Sequence, residues 1–483
     1  MVGRKPRSRM HLTCARIQTY LLVLSIASVL AICVSLADLR KLHLTTSIAI
    51  TEATNQYFSV FEKSTPRNFE KWALFAYQKG CRLEMDAYAQ IAHDLKPWAS
   101  LREKSPGNSS LTREEIRSMA QKGRKRHVVE FEKGRFSREV ELDTWATSKL
   151  VFNSIAHLMP HERPFTLVFS LFDEPSLVVS DDGSSNAYKD VDEIFNKSKC
   201  FRETLETVPL EDSPLHLFAG NNTLRSLHGF LQHPHSFISE SSLAPIFTQA
   251  VAPCYSDIAF PLTTHWQSSQ KEVVDPYSWE VKLPVLFWRG SNTGGAYNIG
   301  TPWRNYHRTR LMDWTHSFAQ RNPSRVFDAS NSTASNSTEF SVDIGYHTYV
   351  QVDDFTKQEL EELYGRKGVV SFHDMLHFKF LLVVDGNTWP ARLQDYLQTN
   401  SVILYAGIFR DWFNWQLVPW VHYVPVRLDF SDLEARVKWL MEHDEEARTI
   451  SENARKFMKK AVSLEQVQCY AGLMLLEYSE FFE

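Results

Sequence analysis

The chain has 483 residues, with 53 Lys and Arg against 57 Asp and Glu, 43% hydrophobic and 13% aromatic residues, and 6 Cys. A formal charge of −4 with so many aromatics excludes disorder as the main state, and the missing basic excess argues against nucleic acid as a partner. Six cysteines cannot replace a core in so long a chain, and 18 Gly and 20 Pro exclude collagenous and low-complexity classes, which leaves a large globular protein of two or three domains, expected to be an enzyme.

In chain order, the first element is an uncharged run from Ile17 to Ala37, which covers roughly 31 Å as a helix, about one hydrocarbon core. Arg4, Lys5, Arg7, Arg9 and Arg16 precede it with no acid among them. The positive-inside rule therefore predicts a cytosolic tail at 1–16, a transmembrane signal anchor at 17–37, and everything after it in the secretory lumen. The run exceeds a typical signal-peptide core, which favours an uncleaved anchor. A cleaved signal peptide, with Ser35, Leu36 and Ala37 in its processing region, is the alternative and reaches the same compartment. Acceptor sequons at Asn108, Asn196, Asn221, Asn331 and Asn336 all follow the anchor. Cys81, Cys200, Cys254 and Cys469 also follow it, enough for two disulfides in any of three connectivities, or for free buried thiols. No Cys/His cluster has zinc spacing, so no structural metal is expected.

Residues 38–74 read as a stem, mixed and without a sustained apolar face. Thr112 with Glu115 forms a capping-box pattern ahead of Ile116 and Met119 and predicts a helix start. The charged stretch KGRKRHVVEFEKGR reads as a solvated face. Trp145, Leu150, Val151, Ile155 and Leu158 recur at helical spacing up to Pro160, and PFTLVFSLF then reads as a buried strand that stops at Asp173-Glu174-Pro175.

The alternation sharpens in the C-terminal half. PVLFW is a strand running into Arg289-Gly290-Ser291, followed by the Gly-rich turn NTGGAYNIG and a helix around Tyr306 to Gln320. RVFDA reads as a short strand, Asp374 to His377 as a helical turn, and FKFLLVVDG as a buried strand. A helix is expected from near Pro390, then strands SVILYA and VHYVPV, then the helix SDLEARVKWLMEH with Ser431 as N-cap. Such alternation implies an α/β fold with a parallel sheet and helices on both faces, which binds ligands at the carboxyl ends of its strands.

Three polar strand ends are therefore candidates, and each also has a plain reading. Asp173-Glu174-Pro175 is by itself an ordinary turn. FWRGSNTGG could cradle an anion with backbone N–H groups, yet it lacks the P-loop ending and the dinucleotide glycine spacing. DGNTWPAR places Asn387 and Thr388 at a helix start with Arg392 in its first turn, where helix dipole and guanidinium both suit a diphosphate; Arg392 could equally be a surface side chain.

The series SLFDEP, SDIAFPLTTHW, LPVLFWRGSNTGG with HRTRL, HFKFLLVVDGNTWPARLQDYLQTNSVILY and VPWVHYVPV resembles glycosyltransferase family 90, the CAP10-like lumenal enzymes that include fungal capsule-associated xylosyltransferases and animal protein O-glucosyltransferases. The resemblance covers about residues 160–460. It implies a GT-B architecture of two facing Rossmann-like domains: 75–280 carrying the catalytic base and acceptor site, 281–460 holding the nucleotide sugar, and a terminal helix at 461–483 packing back on the first. It implies Asp173 as catalytic base, Ser291 as a donor-site serine, and Asn387, Thr388, Trp389, Ala391 and Arg392 around the donor diphosphate. An arginine after the WRG turn also contacts the donor; Arg310 is the choice, with Arg304 and Arg308 open because of the NTGGAYNIG insertion.

The implied enzyme is an inverting transferase of the Golgi or ER membrane. It moves xylose, or alternatively glucose, from a UDP-sugar to a glycan or glycoprotein acceptor, with no cofactor and no metal. A sugar hydroxyl is a poor nucleophile, so Asp173 would take its proton while arginines meet the charge on the departing diphosphate. Two rivals remain. A glycoside hydrolase needs two carboxylates flanking one bond, which adjacent Asp173 and Glu174 cannot supply from opposite strand faces. A non-catalytic carbohydrate-binding scaffold could use the same fold.

Overall fold

The computed structural model describes residues 44–104, 112–122, 126–138, 150–170, 172–178, 193, 224–235, 244–262, 273–329 and 339–482. The expected anchor 17–37 and the sequons Asn108, Asn196, Asn221, Asn331 and Asn336 lie outside the described residues, as does Cys200. Among the described residues no helix is long and apolar enough to cross a membrane.

The chain is α/β, with two parallel-rich, Rossmann-like sheets. The first contains β1 (Arg126–Glu132), β2 (Arg135–Arg138), β3 (Phe165–Ser170), β4 (Ile246–Thr248) and β5 (Ile258–Ala259), in the order β2-β1-β3-β4-β5. Strands β3 to β5 run parallel, and the β1–β2 hairpin joins β3 antiparallel. All of β3 is buried, as its continuous apolar run demands.

The stretch expected to be a solvated face is instead β1. Its charges alternate with apolar residues: Val129 and Phe131 enter the core, while Glu130 on the other face pairs with Arg113 and Arg117 of the helix Arg113–Lys122. That helix opens with the expected reciprocal cap. The Glu115 N–H donates to Thr112 Oγ1 at 3.2 Å, and Glu115 Oε2 accepts from the Thr112 N–H at 3.2 Å.

The segment expected to be a stem is folded from residue 44 onward. Helix 44–61 buries Ala53, Tyr57 and Phe61, and the helix Phe69–Lys79 buries Trp72. Their partner is the C-terminal helix Leu464–Ser479, which is buried along almost its whole length and mostly apolar, with its buried Glu477 met by Tyr57 and Lys63. Trp72 Nε1 donates to the Cys469 carbonyl at 2.8 Å, the Tyr57 hydroxyl bonds Glu477, and the Tyr478 hydroxyl reaches the Thr166 carbonyl on β3 at 3.0 Å. A Cys81–Cys469 disulfide, spanning 388 residues of sequence, fastens the same contact. Cys254 is also disulfide-bonded.

The second sheet is wholly parallel: β6 (Leu283–Ser291), β7 (Ser341–Thr348), β8 (Phe378–Val384), β9 (Val402–Ala406) and β10 (Val424–Pro425), in the order β10-β9-β8-β6-β7. Two expectations fail here. RVFDA is not a strand: Pro323–Arg325 is a 3-10 turn, and Val326 makes only an isolated bridge to Val342. The strand beside β6 is SVDIGYHT, which escapes a hydrophobicity reading because it carries Asp343. That carboxylate is buried, but Arg289 and Lys367 neutralise it, Arg289 through bonds of 2.9 and 2.8 Å to its two oxygens. Nor is Ser431 an N-cap. Its hydroxyl turns to Asp429, and the helix begins one residue later than expected, as Leu433–Glu442 with Asp432 before it.

In this order the sheet reverses direction of growth between β6 and β8, so a crevice opens at their carboxyl ends. The two halves meet beside it, where Val251 and Arg410 exchange two backbone hydrogen bonds of 2.8 Å.

Candidate functional site

Strand β6 ends at Ser291 and β8 at Val384, and the side chain that joins these ends is Arg308, from the first turn of the helix His307–Arg321. Its Nε donates to the Asp385 carbonyl at 2.7 Å, Nη1 to the Ser291 carbonyl at 2.9 Å and Thr293 Oγ1 at 2.7 Å, and Nη2 to the Val384 carbonyl at 3.1 Å. A guanidinium has five N–H groups, so one remains for a ligand. Burial and, next, the nearby Arg392 press its pKa down to about 10, which leaves it charged at neutral pH.

Opposite lies the DGN loop. Asn387 Oδ1 accepts the Gly294 N–H at 3.0 Å and its Nδ2 donates to Gln351 at 2.7 Å, so this side chain latches the glycine turn to the loop. Gly294 has φ 109°, and a Cβ there would stand 2.4 Å from His307 Cε1; only glycine fits. Thr388 is buried, and its Oγ1 has no partner among the described residues, an orphan that a bound ligand would satisfy. Trp389 is buried, Ala391 exposed, and Arg392 half-buried, bonded through Nη1 to the Arg289 carbonyl. The expected helix start near Pro390 shifts to Arg392, and the helix Arg392–Tyr396 is little more than one turn, so the positive charge here comes from the arginines rather than from a dipole. Ser291 sits between the loops with its Oγ 3.5 Å from Thr293 Oγ1.

Ser291, Asn387, Thr388 and Arg392 are thus brought together at the switch point, and the arginine beside them is Arg308. Arg310 points away: its Nε bonds the Asn305 carbonyl at 2.8 Å and its Nη2 reaches the Ser226 carbonyl at 3.4 Å. Two residues further along a helix turns a side chain by about 200°, so Arg308 and Arg310 cannot share a face. Arg304 lies outside, paired with Glu359 over the Trp303 ring.

On the other wall, Asp173 is exposed beyond the end of β3, whereas Glu174 is buried and accepts the His235 N–H at 2.9 Å. The loop that carries both is held by Asp257, whose carboxylate accepts the N–H groups of Ser176 and Leu177 at 3.1 and 2.8 Å. Burial pushes the Asp257 pKa up to about 7 against those bonds. Sequence reasoning missed Asp257 although SDIAF contains it, and it missed His228 and His307, because a single polar residue in an apolar run gives no local sign of what it will face.

A crevice that carries Arg308 and Arg392 at the carboxyl end of a parallel sheet is a surface suited to an anionic ligand, and the class it defines is that of α/β proteins that bind such ligands at a sheet's switch point. The chain belongs to glycosyl transferase family 90, whose model matches residues 232–483, just over half of it. Among curated proteins it is similar to protein O-glucosyltransferase 2 of Danio rerio, 36% identical over 122 residues, which is 25% of this chain and 24% of that one. It is similar to human protein O-glucosyltransferase 3, 31% identical over 127 residues, covering 26% of this chain and 25% of the relative. Human protein O-glucosyltransferase 1 matches at 22% identity over 244 residues, 49% of this chain and 57% of the relative. The chain therefore spans between about a quarter and somewhat over half of the length of these relatives.

Two outcomes follow from this geometry. Arg308→Met should destabilise the protein by about 3–5 kcal/mol, because it strips a buried cation from three carbonyls, while Arg310→Met costs about 1 kcal/mol or less; denaturant melts of the two variants read the difference. Asp257 has a folded pKa of about 7 against the ordinary 3.8. Its protonation therefore favours the folded chain: that contribution is complete below about pH 4 and is lost as pH rises through about 7. On lowering the pH from 7.5 to 5, Asp257→Asn should gain less stability relative to its own value than the wild type does, measured by denaturant midpoint.

Proposed function

We propose that the protein is an inverting, UDP-sugar-dependent glycosyltransferase of GT-B type, anchored in the Golgi or ER membrane with its catalytic part in the lumen. The donor is a UDP-sugar, xylose favoured over glucose on the wording of WRGSNTGG and DGNTWPAR. The acceptor is a hydroxyl of a glycan or glycoprotein. The observation that carries this reading is the convergence of Arg308, Arg392, Ser291 and the unpartnered Thr388 hydroxyl on one sheet end, with Asp173 on the wall opposite. The Cys81–Cys469 disulfide fits an oxidising lumen. The names of the relatives favour glucose as the second donor and a protein as one form of acceptor.

In the proposed reaction the acceptor oxygen attacks the anomeric carbon from the face opposite UDP. The new C–O bond forms as the bond to the diphosphate oxygen breaks, and the hydroxyl proton passes to the Asp173 carboxylate. The transition state is oxocarbenium-like, as in glycoside hydrolysis, and the charge growing on the diphosphate meets Arg392 and the remaining N–H of Arg308. These cations are fixed before reaction, so the proposed mechanism needs no metal ion to neutralise the leaving group. The hydrolase reading loses support because Glu174, the carboxylate next to Asp173 in sequence, is buried and engaged with His235.

The test is UDP release with UDP-xylose and UDP-glucose, each with and without glycan and glycoprotein acceptors, followed by linkage analysis of the product. Asp173→Asn should keep UDP binding nearly intact and lower transfer by roughly 10²–10⁴-fold. Arg392→Ala should weaken nucleotide-sugar binding by roughly 10–100-fold, the loss of one charge-assisted hydrogen bond. Full transfer by Asp173→Asn would overturn the base assignment. Transfer should survive dialysis against a chelator; its loss, restored by a divalent cation, would overturn metal independence.

A further inference from the structure

The segment 228–235 touches both walls of the crevice, and it is held at its start by two histidines. His228 and His307 stack with ring centroids 3.9 Å apart and planes 15° apart, both fully buried beside Arg308. His228 Nδ1 lies 3.3 Å from the Phe230 N–H and His307 Nδ1 lies 3.5 Å from the Gly229 N–H. A ring nitrogen that accepts carries no proton, so both rings are neutral with the proton on Nε2. Both Nε2–H groups then face Asp385: His307 donates to its carbonyl at 3.0 Å, and His228 stands 3.5 Å from its carboxylate without a conventional hydrogen bond. Burial, reinforced by Arg308, holds both rings far below the usual imidazole range, so this arrangement persists at neutral pH.

Beyond Gly229 the chain has no slack. A Cβ on Gly229 would lie 2.2 Å from the Gly294 carbonyl, so this segment rests directly on the glycine turn. The Phe230 ring packs between Tyr255 and Phe409, at 5.1 and 5.0 Å. The His233 carbonyl accepts the Ala296 N–H at 2.7 Å, and two residues on, the His235 N–H binds Glu174, the neighbour of Asp173. One end of an eight-residue strap is therefore fastened to the Asp385 loop and the glycine turn, and the other to the loop bearing Asp173.

We propose that His228 is a positioning residue: through the strap 228–235 it sets the catalytic-base loop in register with the loop that holds the donor diphosphate. The inference rests on the transferase reading above. His228 touches neither reactant; it fixes the distance between the groups that do. Its loss loosens the base loop more than it weakens the donor site, because Arg308 and Arg392 keep their own bonds. The acceptor is then poorly activated, while water can still attack the bound donor.

The readout is the ratio of transfer to acceptor-free hydrolysis of the UDP-sugar, measured together with UDP affinity on the whole protein. His228→Phe keeps an aromatic ring for stacking and removes both nitrogens, with a slightly larger ring to accommodate. Its UDP affinity should stay within about threefold, and its transfer-to-hydrolysis ratio should fall roughly 10–100-fold, the scale of a small misplacement of a reacting group. His228→Asn, whose Oδ1 can replace Nδ1 as acceptor for Phe230, should recover part of the ratio. Glu174→Leu releases the far end without touching the donor loop and should lower the ratio in the same way, which keeps the test decisive should His228→Phe fail to fold. Wild-type turnover with an unchanged ratio in the variants, or an equal loss of affinity and transfer, overturns the inference alone. A wild-type protein that consumes no sugar nucleotide overturns the transferase reading, and this inference with it.

Discussion

The site depends on one buried guanidinium. Parallel strands end in rows of carbonyls, and where a sheet reverses its growth the ends of two neighbours diverge and leave those carbonyls facing each other across a gap. Arg308 fills the gap, donating to Ser291, Val384 and Asp385, and so ties the end of β6 to the end of β8 with the largest set of hydrogen bonds from one side chain at this point. A buried cation is tolerable only when its N–H groups are met, and four of five are. The same residue thereby fixes the glycine turn through Thr293 and brings a positive field to the crevice. The side chain that holds the strand ends together is thus also the one that charges the crevice.

A second constraint sits at the opposite end of the chain. The C-terminal helix Leu464–Ser479 is buried on nearly every side and needs a complete shell, to which the helices at 44–61 and Phe69–Lys79 together with β3 contribute. The last described helix thus packs against the first described ones, and the Cys81–Cys469 disulfide closes that contact covalently. The chain starts in one half, crosses to the second sheet and returns, so the two halves are held by chain path as well as by the Val251–Arg410 bridge.

Much of this was legible because its causes are local. The buried strands β3, β6, β8 and β9 announce themselves as continuous apolar runs, the Thr112–Glu115 cap is decided by four residues, and the DGNTWPAR loop carries its asparagine and arginine in adjacent sequence. Errors fell where a residue's partner lies far along the chain. SVDIGYHT hides its strand behind Asp343 until Arg289 neutralises that charge, and the alternating charges of β1 look like surface until the helix Arg113–Lys122 covers them. The supposed stem is folded because Glu477 and Cys469 reach back to it from the other end.

The sequence by itself determined the α/β class, the family resemblance, the loop from Asn387 to Arg392 and the carboxylate pair at Asp173-Glu174 beyond a strand end, since strand period, turn chemistry and motif spacing are properties of short segments. Only the tertiary structure decided which arginine of HRTRL reaches the crevice, that Glu174 is engaged while Asp173 is open, and that two distant histidines stack to join both walls. Direction around a helix, burial and long-range hydrogen bonding exist only once the segments are packed together, and those are the quantities that turn a list of polar residues into a site.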